Sequence, residues 1–108
     1  MAVYRFKSRE TGDLVMLAPH ARRLLGILGK DADQPGIVTP AQMPAAMEAI
    51  RTAVAAEEAD QQRQRDEAAA RGEPEPAFDP VSLRMRTTPF IEMLQRCQRA
   101  GVDIVWGV

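Results

Sequence analysis

Apolar and polar side chains alternate over residues 3–8, which is the period of a β-strand with one buried face. Tyr4 and Phe6 fall on the same face and form the predicted core side. After a turn-forming stretch, residues 14–17 are apolar at four consecutive positions and form the second predicted strand. We therefore predict an antiparallel hairpin, in which Gly12 is available for a turn position with positive φ.

The last seven residues, 102–108, are rich in β-branched side chains and contain the only tryptophan. An apolar chain end of this kind is predicted to dock as a strand, because an undocked end frays. Trp106 is expected on the core side and Val105 on the opposite side. The other predicted core-side residues are Val102, Ile104 and Val108. Residues 14–17 and this strand are thus apolar on both faces, so either helices or a second subunit must cover the second face.

Residues 21–28 carry apolar side chains at helical spacing, and Gly29 follows them as a helix-ending residue. A polar loop comes next, after which residues 37–38 return to the core. Thr39 then begins a capping box, so the second helix is predicted to start there or one turn later at Pro44.

The second helix has one apolar stripe, which ends at Val54. From residue 57 to residue 75 the chain has seven acidic and three basic residues and no large apolar side chain. Such a segment cannot anchor itself in a core, although it can continue a helix into solvent. We expect part of residues 57–78 to be mobile.

The third helix is predicted to begin with Thr88 as its N-cap and Pro89 in its first position, and to end at Gly101. Residues 81–87, just before it, fit either a short helix or a strand. A short helix is favoured there, although Pro89 limits how far it can extend.

Together these elements predict a single α+β domain over residues 1–108. Its small sheet consists of the N-terminal hairpin and the C-terminal strand, packed with two to three helices. The C-terminal strand is expected beside strand one.

Charge and composition exclude several classes of partner. The formal net charge of −1 gives no global attraction to nucleic acid or anionic lipid. The single cysteine excludes an intrachain disulfide, and no apolar run reaches the ~20 residues of a membrane span. We therefore expect a cytoplasmic protein that does not bind membranes.

Candidate chemistry is sparse. His20 is the only histidine, and a surface or capping role is expected for it, because a metal site would need further ligands. Cys97 falls on the apolar stripe of the third helix and is expected to be a buried thiol. The glycines do not follow a phosphate-binding order, so we predict no metal, no cofactor and no catalytic residue.

Basic residues group on three predicted elements. The groups are Arg5, Lys7 and Arg9 on strand one, Arg22 and Arg23 on the first helix, and Arg84 and Arg86 before Pro89. A solvated face explains each group on its own. Nucleic-acid binding is disfavoured because no aromatic side chains are interleaved with these cations.

Several short strings resemble, in their order along the chain, the bacterial family catalogued as domain of unknown function 1840. They are residues 4–8 (YRFKS), 12–17 (GDLVML), 28–30 (LGK), 42–46 (QMPAA) and 105–108 (VWGV). The resemblance covers nearly the whole chain apart from the charged segment around residues 57–78. It implies a compact bacterial cytoplasmic protein with no assigned activity, and it therefore supplies no catalytic residues.

The favoured hypothesis is a small non-enzymatic interaction module that self-associates as a homodimer, because two strands are apolar on both faces. An unidentified protein partner is a further possibility. The alternative is a small-molecule or anion-binding protein or a minor enzyme. Its anion site would consist of Arg22, Arg23 and Lys30, with Asp13 or His20 as a polar partner.

Overall fold

A computed structural model describes residues 3–107 and has the predicted α+β architecture. Three helices pack against one side of two small antiparallel sheets. In chain order the elements are β1 (Val3–Phe6), β2 (Leu14–Leu17), α1 (Ala18–Ile27), β3 (Gly36–Val38), a 3₁₀ turn (Pro40–Gln42), α2 (Met43–Ala70), α3 (Leu83–Ala100) and β4 (Ile104–Trp106).

The predicted hairpin of β1 and β2 is confirmed, with Val3 opposite Leu17 and Arg5 opposite Val15. The expectation for Gly12 is wrong, because the described glycines with positive φ do not include it. The connection is long enough to turn without a left-handed residue. Ser8 stabilises it instead, since its hydroxyl oxygen accepts hydrogen bonds from the N–H groups of Glu10 and Thr11.

The C-terminal strand lies beside strand one, as expected. The N–H of Lys7 donates to the carbonyl of Val105 at 2.8 Å, and the N–H of Val105 donates back at 2.9 Å. This one bridge joins two separate two-stranded ladders, β1 with β2 and β3 with β4. Strand β3 was not predicted; it pairs along the other edge of β4, with Ile37 opposite Val105.

The core lies between the inner face of the strands and the three helices. Phe6 is fully buried, with its ring 5.1 Å from that of Phe90 and 5.8 Å from that of Trp106. Trp106 and Ile104 are buried on the predicted side, whereas Val108 lies outside the described residues. The prediction that residues 37–38 both return to the core is half wrong, because Val38 is buried but Ile37 is 40% exposed.

Helix α1 begins three residues earlier than predicted, directly after β2, with Pro19 in its first turn. Its predicted end is confirmed. Gly29 adopts φ of 73°, and the N–H of Lys30 donates to the carbonyl of Leu25 at 2.8 Å. The left-handed conformation of Gly29 lets the chain leave the helix, while carbonyl groups of the last helical turn still accept hydrogen bonds from backbone N–H groups.

Helix α2 follows the predicted capping box, in which the side chains of Thr39 and Gln42 each accept from the other's backbone. It continues for 28 residues, so residues 57–70 adopt the helical alternative. Its distal part makes the molecule elongated, with a radius of gyration of 16.1 Å against about 13 Å for a compact domain of this length.

The chain returns along α2 after Gly72 in an extended conformation. The guanidinium of Arg65 lies 5.0 Å from the ring centroid of Phe78 and pairs with Glu75 at 3.1 Å. These contacts hold the segment that follows Gly72 against helix α2. The expected mobility of part of residues 57–78 stays a prediction.

Helix α3 begins six residues before the predicted start. Ser82, and not Thr88, is its N-cap, accepting from the N–H of Met85 at 3.1 Å. Pro89 lies inside the helix. The reason is a buried stripe at spacings of four and three, which already begins at the start of the helix; its members are Leu83, Thr87, Phe90, Leu94 and Cys97. Tertiary packing of this stripe outweighs the hydrogen bond that proline removes.

Candidate functional site

The most distinctive surface of the molecule is the side of the strands that faces away from the helices, which we call the outer sheet face. Side chains alternate along a strand and directly opposed residues share a face. The register therefore places one set of residues outward: Val3, Arg5, Lys7, Val15, Leu17, Ile37 and Val105.

Apolar residues on the outer sheet face are strongly exposed. Val15 and Leu17 are each 47% exposed, and Val3 and Ile37 are each 40% exposed. The helices cover the opposite side, because the buried strand residues belong to the same cluster as the helix residues. Strand β2 is thus apolar on both faces while only one face is covered by the described residues.

Three cations accompany this apolar surface. Arg5 lies opposite Val15, Lys7 lies opposite Val105, and Arg9 follows in the turn after β1. Within residues 3–107, neither the Arg5 nor the Arg9 guanidinium forms an ion pair, in contrast to those of Arg22, Arg23, Arg84 and Arg86. The outer sheet face therefore combines apolar side chains with positive charge.

The predicted anion site does not assemble into one pocket. Arg22 donates to Asp33 at 2.7 Å and to the Tyr4 hydroxyl at 3.1 Å. This partnership raises the pKa of Arg22 and lowers that of Asp33. Arg23 lies 3.7 Å from Glu57 on α2. The two arginines thus face different carboxylates.

Lys30, the third predicted member, lines a different pocket. Its other walls are mainly apolar: they include Leu28, Val38, and the α2 residues Ala45 and Ala49. Anion binding by these three residues stays a prediction, and the pocket that Lys30 lines includes neither arginine.

The two proposed polar partners also lie apart. Asp13 borders a hollow next to Pro89 and Arg96 on α3. His20 faces Asp79, whose pKa is lowered first by the N–H of Val81, then by Arg86, and to a smaller degree by the charge of His20. His20 therefore belongs to the junction between α1 and the start of α3.

Sequence reasoning missed the role of Glu57 at this junction. Its carboxylate accepts from the N–H of Leu83 at 3.2 Å and from the side chain of Gln61 at 3.2 Å, and it faces Arg23. An acidic side chain from α2 thus satisfies the N-terminus of α3. The sequence around Glu57 is rich in charged residues, so nothing in it distinguishes Glu57 from the neighbouring acidic residues of the same helix. Only the packing of α2 against α3 singles Glu57 out.

The remaining basic residues do not converge. Arg84 makes two hydrogen bonds with Glu58, at 2.8 and 2.9 Å, and lowers the pKa of that carboxyl. Arg86 contacts Asp79 at 3.2 Å. These cations are balanced locally by carboxylates and lie on the helices, whereas Arg5, Lys7 and Arg9 lie next to the exposed strands.

Cys97 is fully buried, as predicted. Across the described residues, no group of three or more histidine, cysteine, aspartate or glutamate side chains is arranged to hold a metal ion. No helix between residues 3 and 107 combines the length and hydropathy that crossing a membrane requires.

Comparison with known proteins yields one match. The sequence model of a family described as a domain of unknown function, number 1840, matches residues 2–106. No curated protein and no solved structure matches the chain.

Proposed function

The chain belongs to the family of domain of unknown function 1840, and we propose that it is a non-enzymatic interaction module that self-associates through its outer sheet face. One observation carries this proposal: Val15 and Leu17 are each 47% exposed on a strand face that the helices leave uncovered. Grouped apolar side chains of this kind favour association, since burying them removes them from water.

A second copy of the chain is the proposed occupant. A two-fold interface places the same surface of both copies together, so one apolar patch supplies both sides. Four strands about 4.8 Å apart and about four residues long give a face of roughly 19 by 13 Å. This is small against the ~800 Å² per partner of a stable interface, so we expect dissociation in the micromolar range.

The salt dependence of binding distinguishes self-association from binding to an acidic partner. A two-fold contact brings Arg5 of both copies to the same interface, and added salt screens their repulsion. The proposed dimer should therefore tighten, or remain unchanged, as salt rises. Binding of an acidic protein partner to the same cations would weaken instead.

The alternative of an anion-binding protein or minor enzyme at Arg22, Arg23 and Lys30 has less support, because both arginines face carboxylates. Nucleic-acid binding is disfavoured by the net charge of −1. A cytoplasmic location is part of the proposal, and the buried free thiol of Cys97 suits a reducing compartment.

Light scattering coupled to size-exclusion chromatography tests the proposal at a loading of ~100 µM, well above the expected dissociation constant. The double variant V15T/L17T removes apolar surface and places threonine, a β-branched residue that favours strands, at both positions. The control is Met85→Gln, which removes a 59% exposed apolar side chain from α3. We expect a dimer for the wild type and M85Q, and a monomer for V15T/L17T.

A strict monomer for the wild type at this concentration would refute the proposal. Equal dissociation of V15T/L17T and M85Q would also refute it, because the effect would then not depend on the outer sheet face. Circular dichroism of each variant confirms that the fold is retained.

A further inference from the structure

The seam between β1 and β4 opens on one side of its single bridge. In the antiparallel register that pairs Lys7 with Val105, the next bonded pair would join Arg5 to Gly107. No backbone hydrogen bond links these two residues. The peptide N–H and carbonyl of Arg5 therefore point into a gap, since alternate residues of β1 direct these groups away from β2.

Gly107 causes the opening. It adopts φ of +75°, and an added β-carbon there would lie 2.8 Å from the Cα of Pro35. Only a glycine permits this approach without strain. Gly107 therefore lies against Pro35 in this left-handed conformation, and backbone pairing with β1 ends after the bridge.

The gap is the floor of a cleft of about 580 Å³ between β1, the loop before β3 and the end of β4. Its walls include Val3, Tyr4 and Pro35. The Tyr4 hydroxyl donates to the carbonyl of Ala32 at 3.0 Å and accepts from Arg22 at 3.1 Å. This network ties β1 to the loop, so one wall of the cleft is held in place.

Among the described residues that line the cleft, hydrogen-bond donors outnumber carboxylates. Arg5 contributes its guanidinium and its unpaired peptide N–H. Trp106 also lines the cleft, but its indole is buried, and Nε1 has no hydrogen-bond partner among residues 3–107. Asp33 is the carboxylate of the lining, and it is bound to Arg22.

The indole ring of Trp106 lies beside the cleft wall. A β-carbon on Gly36 would come within 2.2 Å of its Cζ2 and 2.6 Å of its Cε2. The six-membered ring of the indole therefore lies against Gly36, the residue that follows Pro35. A ligand that enters the cleft changes the surroundings of this ring.

We propose that this cleft binds a carboxylate attached to a short aliphatic chain. The carboxylate pairs with the Arg5 guanidinium, whose planar fork matches its two oxygens, and accepts from the peptide N–H of Arg5. The aliphatic chain lies against Val3, Pro35 and the ring of Tyr4. The same chemistry is present in a free monocarboxylic acid and at the C-terminus of a peptide with apolar last residues.

The test uses the intrinsic emission of Trp106, the only tryptophan of the chain. Hexanoate is titrated into ~1 µM full-length protein, a concentration below the dissociation constant expected for self-association. Hexanamide, which has the same length but no charge, and inorganic phosphate are titrated in parallel. We expect a saturable change with hexanoate and none with the other two.

Arg5→Gln removes the guanidinium, and we expect at least a ~10-fold weaker affinity for hexanoate. Arg9→Gln is the control, because Arg9 is a nearby arginine in the turn after β1 that lies outside this cleft. Circular dichroism checks that each variant is folded.

A parallel titration distinguishes the two sources of the carboxylate. A tetrapeptide ending in valine is compared with its C-terminally amidated form. Saturation by hexanoate indicates a free acid, and saturation by the unamidated peptide alone indicates a chain terminus. No saturation by either ligand up to ~50 mM, an equal response to hexanamide or phosphate, or equal weakening by R5Q and R9Q would overturn the proposal.

Discussion

The indole of Trp106 lies directly on Gly36, its partner in the antiparallel pair of β3 and β4. A β-carbon built on Gly36 would be 2.2 Å from Cζ2 of the ring. The absence of a side chain at position 36 thus allows the largest buried residue of the core to close over β3.

Gly36→Ala should therefore destabilise the protein by about 1–3 kcal/mol, because the buried ring cannot move away without disturbing the packing around Phe6. Urea denaturation measures the change. Gly12→Ala is the control, since an added β-carbon there meets no atom within 4 Å. Equal stability of G36A and the wild type would contradict the close contact.

The start of α3 can be tested with two alanine substitutions. Ser82→Ala removes the side-chain acceptor for the Met85 N–H and should cost about 1 kcal/mol. Thr88→Ala should cost clearly less, because its exposed hydroxyl only donates to the Arg84 carbonyl inside the helix. Thermal unfolding compares the two variants, and a larger loss in T88A would favour the later helix start.

Pro89 should weaken the helix that contains it. Its ring nitrogen cannot donate to the carbonyl of Met85, so Pro89→Ala should stabilise the protein by about 1 kcal/mol or more. Pro44→Ala is the comparison, because Pro44 lies in the first turn of α2, where no such bond is lost. Denaturant midpoints provide the measurement, and a destabilised P89A would show that the proline rigidity outweighs the missing bond.

Asp79 should make stability depend on pH in the acid range. The Val81 N–H and Arg86 hold the pKa of Asp79 below its ordinary value of 3.8. A lowered folded-state pKa stabilises the fold above the ordinary value, and this contribution is lost as pH falls through the folded-state value. Asp79→Asn should thus be less stable than the wild type at neutral pH, with a difference that shrinks below pH 3.8.

Urea denaturation at ~pH 7 and ~pH 3 measures this difference, which should be modest because the pair is exposed. Asp13→Asn removes the same charge at a position without an ion pair among residues 3–107, and it should change stability little. A difference between D79N and the wild type that persists unchanged in acid would contradict the assignment.

Local patterns predicted most of the individual elements. The alternation around Phe6, the capping box at Thr39 and the end of α1 at Gly29 are each visible over a few residues, because they depend on short-range backbone preferences. The start of α3 was misplaced for the same reason. Proline is a strong local signal, whereas the stripe from Leu83 acts only through contacts with the rest of the core.

The candidate site was less accessible to sequence reasoning. Basic residues near each other in the chain, such as Arg22 and Arg23, face different carboxylates that come from distant segments. Glu57 reaches the N-terminus of α3 across 26 residues. Such pairings depend on how helices cross, and the pattern along any one helix does not specify them.

The sequence by itself determined the α+β class, the hairpin, the docked C-terminal strand and the two-sided apolar character of β2, because strand and helix periods are local properties. Only the tertiary structure decided which of those faces is covered. The helices pack on the side of Phe6 and Trp106, leaving Val15 and Leu17 exposed, since one layer of helices covers only one face of a sheet. The opening between Arg5 and Gly107 likewise arises only when distant strands meet at a single bridge.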